Sequence, residues 1–363
     1  MSEMKDMIGE SVNRIFSDSV DRKLLEAAES GLWQADLWRT IDESGFADVL
    51  VSEPEQESGG KWEDAYPVFH AIGLHQAPLP LSETIIARAL ASRARLPVSM
   101  GPATVVQQQP DNTLCLSLDN HRLLLNGAVA GVPWARAATS LVVVGYMGDE
   151  QMIGVVDAHA PGIAVSHGVN VAKEPRDDVT FKDCVCNAFF KCGGSLPDDV
   201  ATLYGALARA SMMAGAAERV LRESVQYAND RIQFGRPIGK FQAIQQSLAI
   251  LAGEVTSAQT AALVACMGAG ASPQRFAVAV AKIRAGKAAG TAANIGHQVH
   301  GAIGFTYEHS LHFATRRLWS WRAEFGAESA WARQLGADAI QRGGRNFWAD
   351  LTYRGRGSLE LRP

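Results

Sequence analysis

The chain has 363 residues, 47% of them apolar and 20% charged, with a formal net charge of −4 and a pI of about 6.2. That length supports two or three domains around a sizeable core, and a mildly acidic balance without a long basic run argues against a nucleic-acid or membrane-surface partner. Proteins and small molecules remain as partners. No apolar run is read as membrane-spanning, and the polar opening Met1–Met7 does not begin a secretory signal, so a cytoplasmic location is expected. Five cysteines, Cys115, Cys184, Cys186, Cys192 and Cys266, are an odd number in a large chain and read as reduced thiols. The Cys184, Cys186, Cys192 group lies in a strand-like stretch without a histidine, and no metal is expected there.

From Val12 to Arg95 the apolar residues recur at helical spacing, as in Leu24, Leu25, Ala28, Leu32 and Leu37. Breaks are expected at Glu53-Pro54, Gly59-Gly60 and Pro78–Pro80. Between Pro97 and Phe190 the period shortens to β-branched and aliphatic runs at Leu114–Leu116, Arg122–Leu125, Ser140–Val144, Ile153–Val156, Gly162–Val165 and Val179–Phe181. Asp111-Asn112, Asp119-Asn120, Gly148-Asp149 and Pro161-Gly162 mark turns between them, which predicts a small β-barrel or sandwich.

From Pro197 the pattern returns to long helices over 198–230, 241–268, 272–298 and 311–342, rich in Ala and Gly, as in a close-packed bundle. Tyr353–Pro363 has no periodicity. The expected class is therefore α+β: a helical domain over 1–96, a central β domain over 97–195, a four-helix bundle over 196–345 and a tail over 346–363.

Two joins carry the chemistry. In the first, Arg231 and Phe234 stand at a helix C-terminus, Gly235 turns the chain, Pro237 blocks further helix, and Phe241 and Gln242 open the next one. An arginine offers a forked, permanently charged donor suited to pyrophosphate, with an aromatic to pack beside a nucleotide. The plainer reading makes Arg231 a cap, Phe234 core and Gln242 a first-turn polar residue. In the second, Gln298, His300, Gly301, Ala302 and Gly304 follow the third bundle helix, where glycine lets backbone N–H groups approach phosphate. His300 reads as a structural donor more than a general base.

These motifs resemble the signatures of the acyl-CoA dehydrogenase family, and the order of the amino-terminal elements does too. The resemblance implies FAD, with Arg231, Phe234, Gln242, Gln298 and Gly301 contacting the adenosine and pyrophosphate end of a cofactor bound by a neighbouring subunit. It implies α,β-dehydrogenation of an acyl-CoA thioester to the 2-enoyl-CoA, with a glutamate as base and electron-transfer flavoprotein as acceptor. By alignment the family's two base positions fall on Phe325 and Gly205, and neither is a carboxylate. Glu324, one residue away, is the remaining candidate base; Glu308 reads as a helix N-terminal charge. The flavin-covering loop is rewritten as Gly101–Pro110, and Trp134 stands either as a flavin neighbour or as core.

With the adenosine-end motifs kept and the flavin-ring end eroded, the chain resembles the smaller subunits of α2β2 acyl-CoA dehydrogenases acting on steroid side-chain CoA thioesters, which complete a larger partner's site. The stretch from Gly304 to His309 and the pair Arg316-Arg317 add to that likeness. Three alternatives stay open: a self-sufficient homotetramer with a displaced base, a flavin-dependent monooxygenase on the same fold, and a non-catalytic structural subunit.

Overall fold

Five helices open the chain: α1 (Glu3–Ser19), α2 (Arg22–Glu29), α3 (Ala35–Glu43), α4 (Trp62–His75) and α5 (Leu81–Arg93). The computed structural model describes residues 3–51, 60–269 and 274–353. The expected breaks at Glu53-Pro54 and Gly59, positions 272 and 273, and the tail from 354 onward lie outside the described residues. Asp21 caps α2, its Oδ1 accepting the Leu24 N–H at 2.8 Å and satisfying one first-turn donor. The apolar spacing from Leu24 to Leu37 does not make one helix: α2 ends at Ser30, Gly31 takes φ 94°, and Leu32 is exposed.

The helical region is set on the bundle by a close crossing of α4 with α6 (Val200–Asp230). A Cβ on Gly73 would stand 1.9 Å from the Met212 carbonyl oxygen, and one on Gly215 2.0 Å from that of His70. Glycine is required on both sides of the crossing for the backbones to meet.

The middle of the chain forms two four-stranded sheets, ordered β1-β4-β5-β8 and β2-β3-β7-β6. Their strands are β1 (Ala103–Gln107), β2 (Cys115–Asp119), β3 (Arg122–Pro133), β4 (Ser140–Met147), β5 (Glu150–Asp157), β6 (Ile163–Ser166), β7 (Arg176–Cys186) and β8 (Ala188–Lys191). Among the described residues only β1 and β4 pair in parallel. Leu116, Leu123, Leu125, Leu141, Val143, Val179 and Phe181 form one buried cluster in this region. Gly101–Pro110, read as a rewritten loop, contains β1, which is held by pairing to β4 and not by its own alternation.

The bundle comprises α6, α7 (Gln242–Met267), α8 (Arg275–His300), α9 (Leu311–Ala323), α10 (Glu328–Arg342) and α11 (Gly344–Tyr353). The helix expected over 311–342 is broken into α9 and α10, because Phe325 and Gly326 adopt φ 54° and 90°. The expected tail is helical as far as Tyr353. Among the described residues α7 is long and apolar enough to cross a membrane, which corrects the reading that no run had that length. Its inner stripe, Leu251, Val255, Ala258 and Ala262, is buried in a core shared with α4, α6 and α8. Cys184, Cys186 and Cys192 are buried free thiols, and among the described residues no group of His, Cys, Asp and Glu is arranged to hold a metal.

Candidate functional site

The end of α6 and the end of α8 meet through side chains. The Tyr227 and His300 rings lie 4.6 Å apart in a tilted contact, and one turn beyond Tyr227 the Arg231 N–H closes on the Tyr227 carbonyl at 2.9 Å. A two-residue hairpin, β9 (Ile232–Gln233) with β10 (Arg236–Pro237), then turns through Phe234 at φ 52° and Gly235 at φ 78°. That strained φ aims Phe234 outward, leaving it 91% exposed. Arg231, Gln242, Gln298 and Gly301 are exposed as well, and Arg231 makes no side-chain hydrogen bond or ion pair among the described residues. Phe234 is therefore not core. His300 is buried, its Nδ1–H donates to the Gly296 carbonyl at 2.7 Å, and burial pushes its pKa down. This geometry gives it a structural place beneath Gly301.

A cavity of 1490 Å³ lies between the β domain, α6 and the α9–α10 turn. Gly205 and Phe325, far apart in sequence, meet at its wall: a Cβ on Gly205 would lie 2.4 Å from the Phe325 ring. One aromatic ring thus fills the space in front of both aligned base positions. The Arg209 guanidinium sits 5.6 Å from the centre of that ring.

Behind the ring runs a buried series of alternating charge. Arg209 donates to Glu83 at 2.5 Å, to Ser82 at 2.9 Å and to Glu324 at 2.7 Å; Arg176 donates to Glu324 at 2.8 Å and to Glu174 at 3.2 Å. Glu174 also accepts the Trp321 indole N–H at 2.9 Å and faces Arg317. Burial by itself would raise the Glu324 pKa, but Arg176 and Arg209 overrule it and hold the carboxyl at about 2. A base working near neutrality needs the opposite shift. Glu324 is an ion-pair acceptor of Arg176 and Arg209, a state that argues against its reading as a displaced base.

Lys282, 1% exposed, completes the turn. Its Nζ donates to the carbonyls of Trp321 at 3.2 Å, Arg322 at 2.9 Å and Gly326 at 2.8 Å, joining the last turn of α9 to the start of α10. Burial lowers its pKa to about 7. Trp134 is buried, takes φ 57° and donates its backbone N–H to Pro175; Val132 and Pro133, not Trp134, line the cavity. Thr104 Oγ1 is engaged by the Pro133 carbonyl at 2.7 Å. Glu308 lies exposed before α9, its backbone carbonyl accepting from Arg22.

Arg209, Arg176, Glu83 and Lys282 were not singled out from the sequence. For Arg209 a signal was present, since it is a lone cation in an Ala-, Gly- and Met-rich helical stretch that has to be buried, whereas Lys282 shares its helix with Arg284 and Lys287 and is not marked out in that way. For Arg176 and Glu83 only tertiary contact reveals the role.

Residues 201–339 match the family model of the acyl-CoA dehydrogenase C-terminal domain. The chain is 28% identical over 318 residues to the acyl-CoA dehydrogenase IpdE2 of Mycobacterium tuberculosis, covering 87% of this chain and 91% of that protein. Its fold is similar to a chain of the ChsE4-ChsE5 complex from Mycobacterium tuberculosis, with a TM-score of 0.83 at 21% identity, covering 93% of this chain and 97% of the other. It is equally similar, at TM-score 0.83 and 22% identity over 94% and 99% of the two chains, to a chain of the steroid ACAD Tcur3481-Tcur3483. The carboxy-terminal part of the chain thus matches the acyl-CoA dehydrogenase model, and nearly its whole length and its architecture are similar to these proteins.

Proposed function

We propose that this chain is the subunit of a FAD-dependent acyl-CoA dehydrogenase that lacks the proton-abstracting carboxylate and completes the FAD site of a larger, base-bearing partner in an α2β2 assembly. The observation that carries the reading is the Phe325 ring lodged on Gly205, which removes a carboxylate from both aligned positions while the adenosine-end residues stand exposed.

Those exposed residues suit the cofactor. Arg231 is a forked cation with no partner among the described residues, Phe234 presents a free aromatic face, and Gly301 at φ 64° has open space where a Cβ would stand, so its backbone can approach a phosphate. Arg231 and the Gly301 backbone would hold the pyrophosphate, and Phe234, Gln242 and Gln298 would orient the adenosine end. The chemistry such a FAD would supply is acceptance of the hydride from the β-carbon of the acyl thioester, with loss of the α-proton giving the 2-enoyl-CoA. The base for that proton belongs to the partner. A bulky, steroid-derived acyl chain is the favoured substrate, supported by the likeness to a steroid ACAD. Electron-transfer flavoprotein is the expected acceptor, and the cytoplasm the expected location.

A self-sufficient homotetramer is disfavoured because Arg176 and Arg209 engage the two carboxylate oxygens of Glu324. Flavin content and subunit mass, measured for the chain alone and co-expressed with a base-bearing homologue, test the reading. The expected result is a colourless lone chain and a yellow heterotetramer with about one FAD per pair of chains. A yellow homo-oligomer bleached by an acyl-CoA would overturn it. Within the complex, Arg231→Ala should weaken flavin retention about ten- to a hundredfold, as expected for a lost charged hydrogen bond, with the assembly intact. Full flavin retention would instead identify a structural subunit that does not touch FAD.

A further inference from the structure

We propose that a second cavity, bordered by the Glu308–Ser310 turn before α9, is a binding site for a small oxyanion, a carboxylate or phosphate group on a compact ligand. Its volume is 340 Å³, at the lower end of the roughly 300–1,000 Å³ of small-molecule pockets. The walls come from the α1–α2 junction, the end of α4, α6 and the turn before α9.

Its inner side is built of donors. Gln76 is 2% exposed and holds φ 59° at the C-cap of α4, a left-handed position where glycine is usual. Its amide nitrogen is buried without a hydrogen-bond partner among the described residues. Such a group is costly unless something accepts its hydrogens. Arg219 uses Nε on Glu223 at 2.6 Å, and its terminal nitrogens have no partner among the described residues. His309 Nδ1 accepts the Leu311 N–H at 3.1 Å, which leaves the proton of the neutral ring on Nε2 as a further donor.

The surrounding charge agrees. His75, whose Nε2 contacts Asn13 Oδ1 at 3.0 Å, is held at about 4, first by burial and then by the positive field of Arg219 and Arg222. Across the cavity Arg22 bridges from α2 to the carbonyls of Tyr307 and Glu308 at 2.5 and 2.6 Å. Two carboxylates also border the space. Asp21 has one oxygen committed to its cap, and Glu308 is exposed. They favour a ligand with one oxyanion end directed to Gln76 and Arg219 and a neutral or cationic remainder.

The test is titration of the purified chain with inorganic phosphate and, separately, with acetate, following stability and amide chemical shifts at constant ionic strength against chloride. Saturable binding of either probe is expected, and which one binds tighter identifies a phosphoryl or a carboxylate ligand. Arg219→Met and Gln76→Leu should each weaken it about tenfold, the loss of one strong hydrogen bond. Should either fail to fold, Glu308→Gln, on an exposed side chain, should tighten binding several-fold by removing a like charge. A non-saturating response, one matched by chloride, or binding indifferent to all three substitutions would overturn the proposal. The experiment needs neither flavin nor a partner subunit, so its outcome is independent of the proposed dehydrogenase role.

Discussion

At the residue scale, the buried charges set the character of the 1490 Å³ cavity. Glu324 lies between Arg209 and Arg176, so Glu324→Gln leaves two buried guanidinium groups short of a counter-charge and should destabilise the fold by about 3–5 kcal/mol. A catalytic base would show the reverse, lost activity at unchanged stability. Because the folded-state pKa of Glu324 is about 2 against an ordinary 4.5, its contribution is complete above pH 4.5 and is lost as pH falls toward 2. Urea denaturation at pH 5 and pH 3, wild type against Glu324→Gln, should show the gap closing with acid. Lys282 gives a dependence of the same sign in a higher window. Between its folded value of about 7 and the ordinary 10.5 the unfolded chain carries the extra proton, so stability rises with pH across that window. The advantage of wild type over Lys282→Met should therefore grow from pH 7 to pH 9, since the neutral amine still has two N–H donors for the turn carbonyls.

At the element scale, the turn between α9 and α10 decides what the cavity can do. Phe325 sits at φ 54° with its ring against bare helix backbone, while Lys282 and the Trp331 indole, which donates to the Phe325 carbonyl at 3.0 Å, hold the turn. Adding a methyl at position 205 drives it into the ring. Gly205→Ala should cost about 1–3 kcal/mol despite its better helix propensity, and Phe325→Ala should recover most of that loss. Thermal denaturation of the two single variants and the double variant measures the coupling. Additive effects would show that the ring does not occupy that space. The helix break itself was hidden in the sequence, because 311–342 keeps helical spacing through Glu324 and Phe325, and a non-glycine residue at positive φ announces itself only when tertiary contacts hold it there.

At the scale of the whole molecule, the helical ends and the β domain were legible because local rules agree with the fold. Ala- and Gly-rich helices, β-branched runs and the Arg231–Gln242 and Gln298–Gly304 joins all appear in short stretches of sequence. β1 was not legible, since its partner β4 lies more than thirty residues on, as the Ala103–Ser140 pairing shows. Nor was the exposed outer face of α7, where Ile250, Val264 and Met267 leave an apolar helix only partly covered within one chain. By itself the sequence determined the class of most elements, the two joins read as nucleotide motifs and the absence of a carboxylate at positions 205 and 325, because these depend on residue type and short-range spacing. The tertiary structure alone decided that those two positions face each other across one ring and that Glu324 is neutralised by arginines from two other elements. It also decided that Gln76 and Arg219, with donors unpaired among the described residues, line a common space. Such facts arise from contacts between residues more than a hundred positions apart, and no local pattern encodes them.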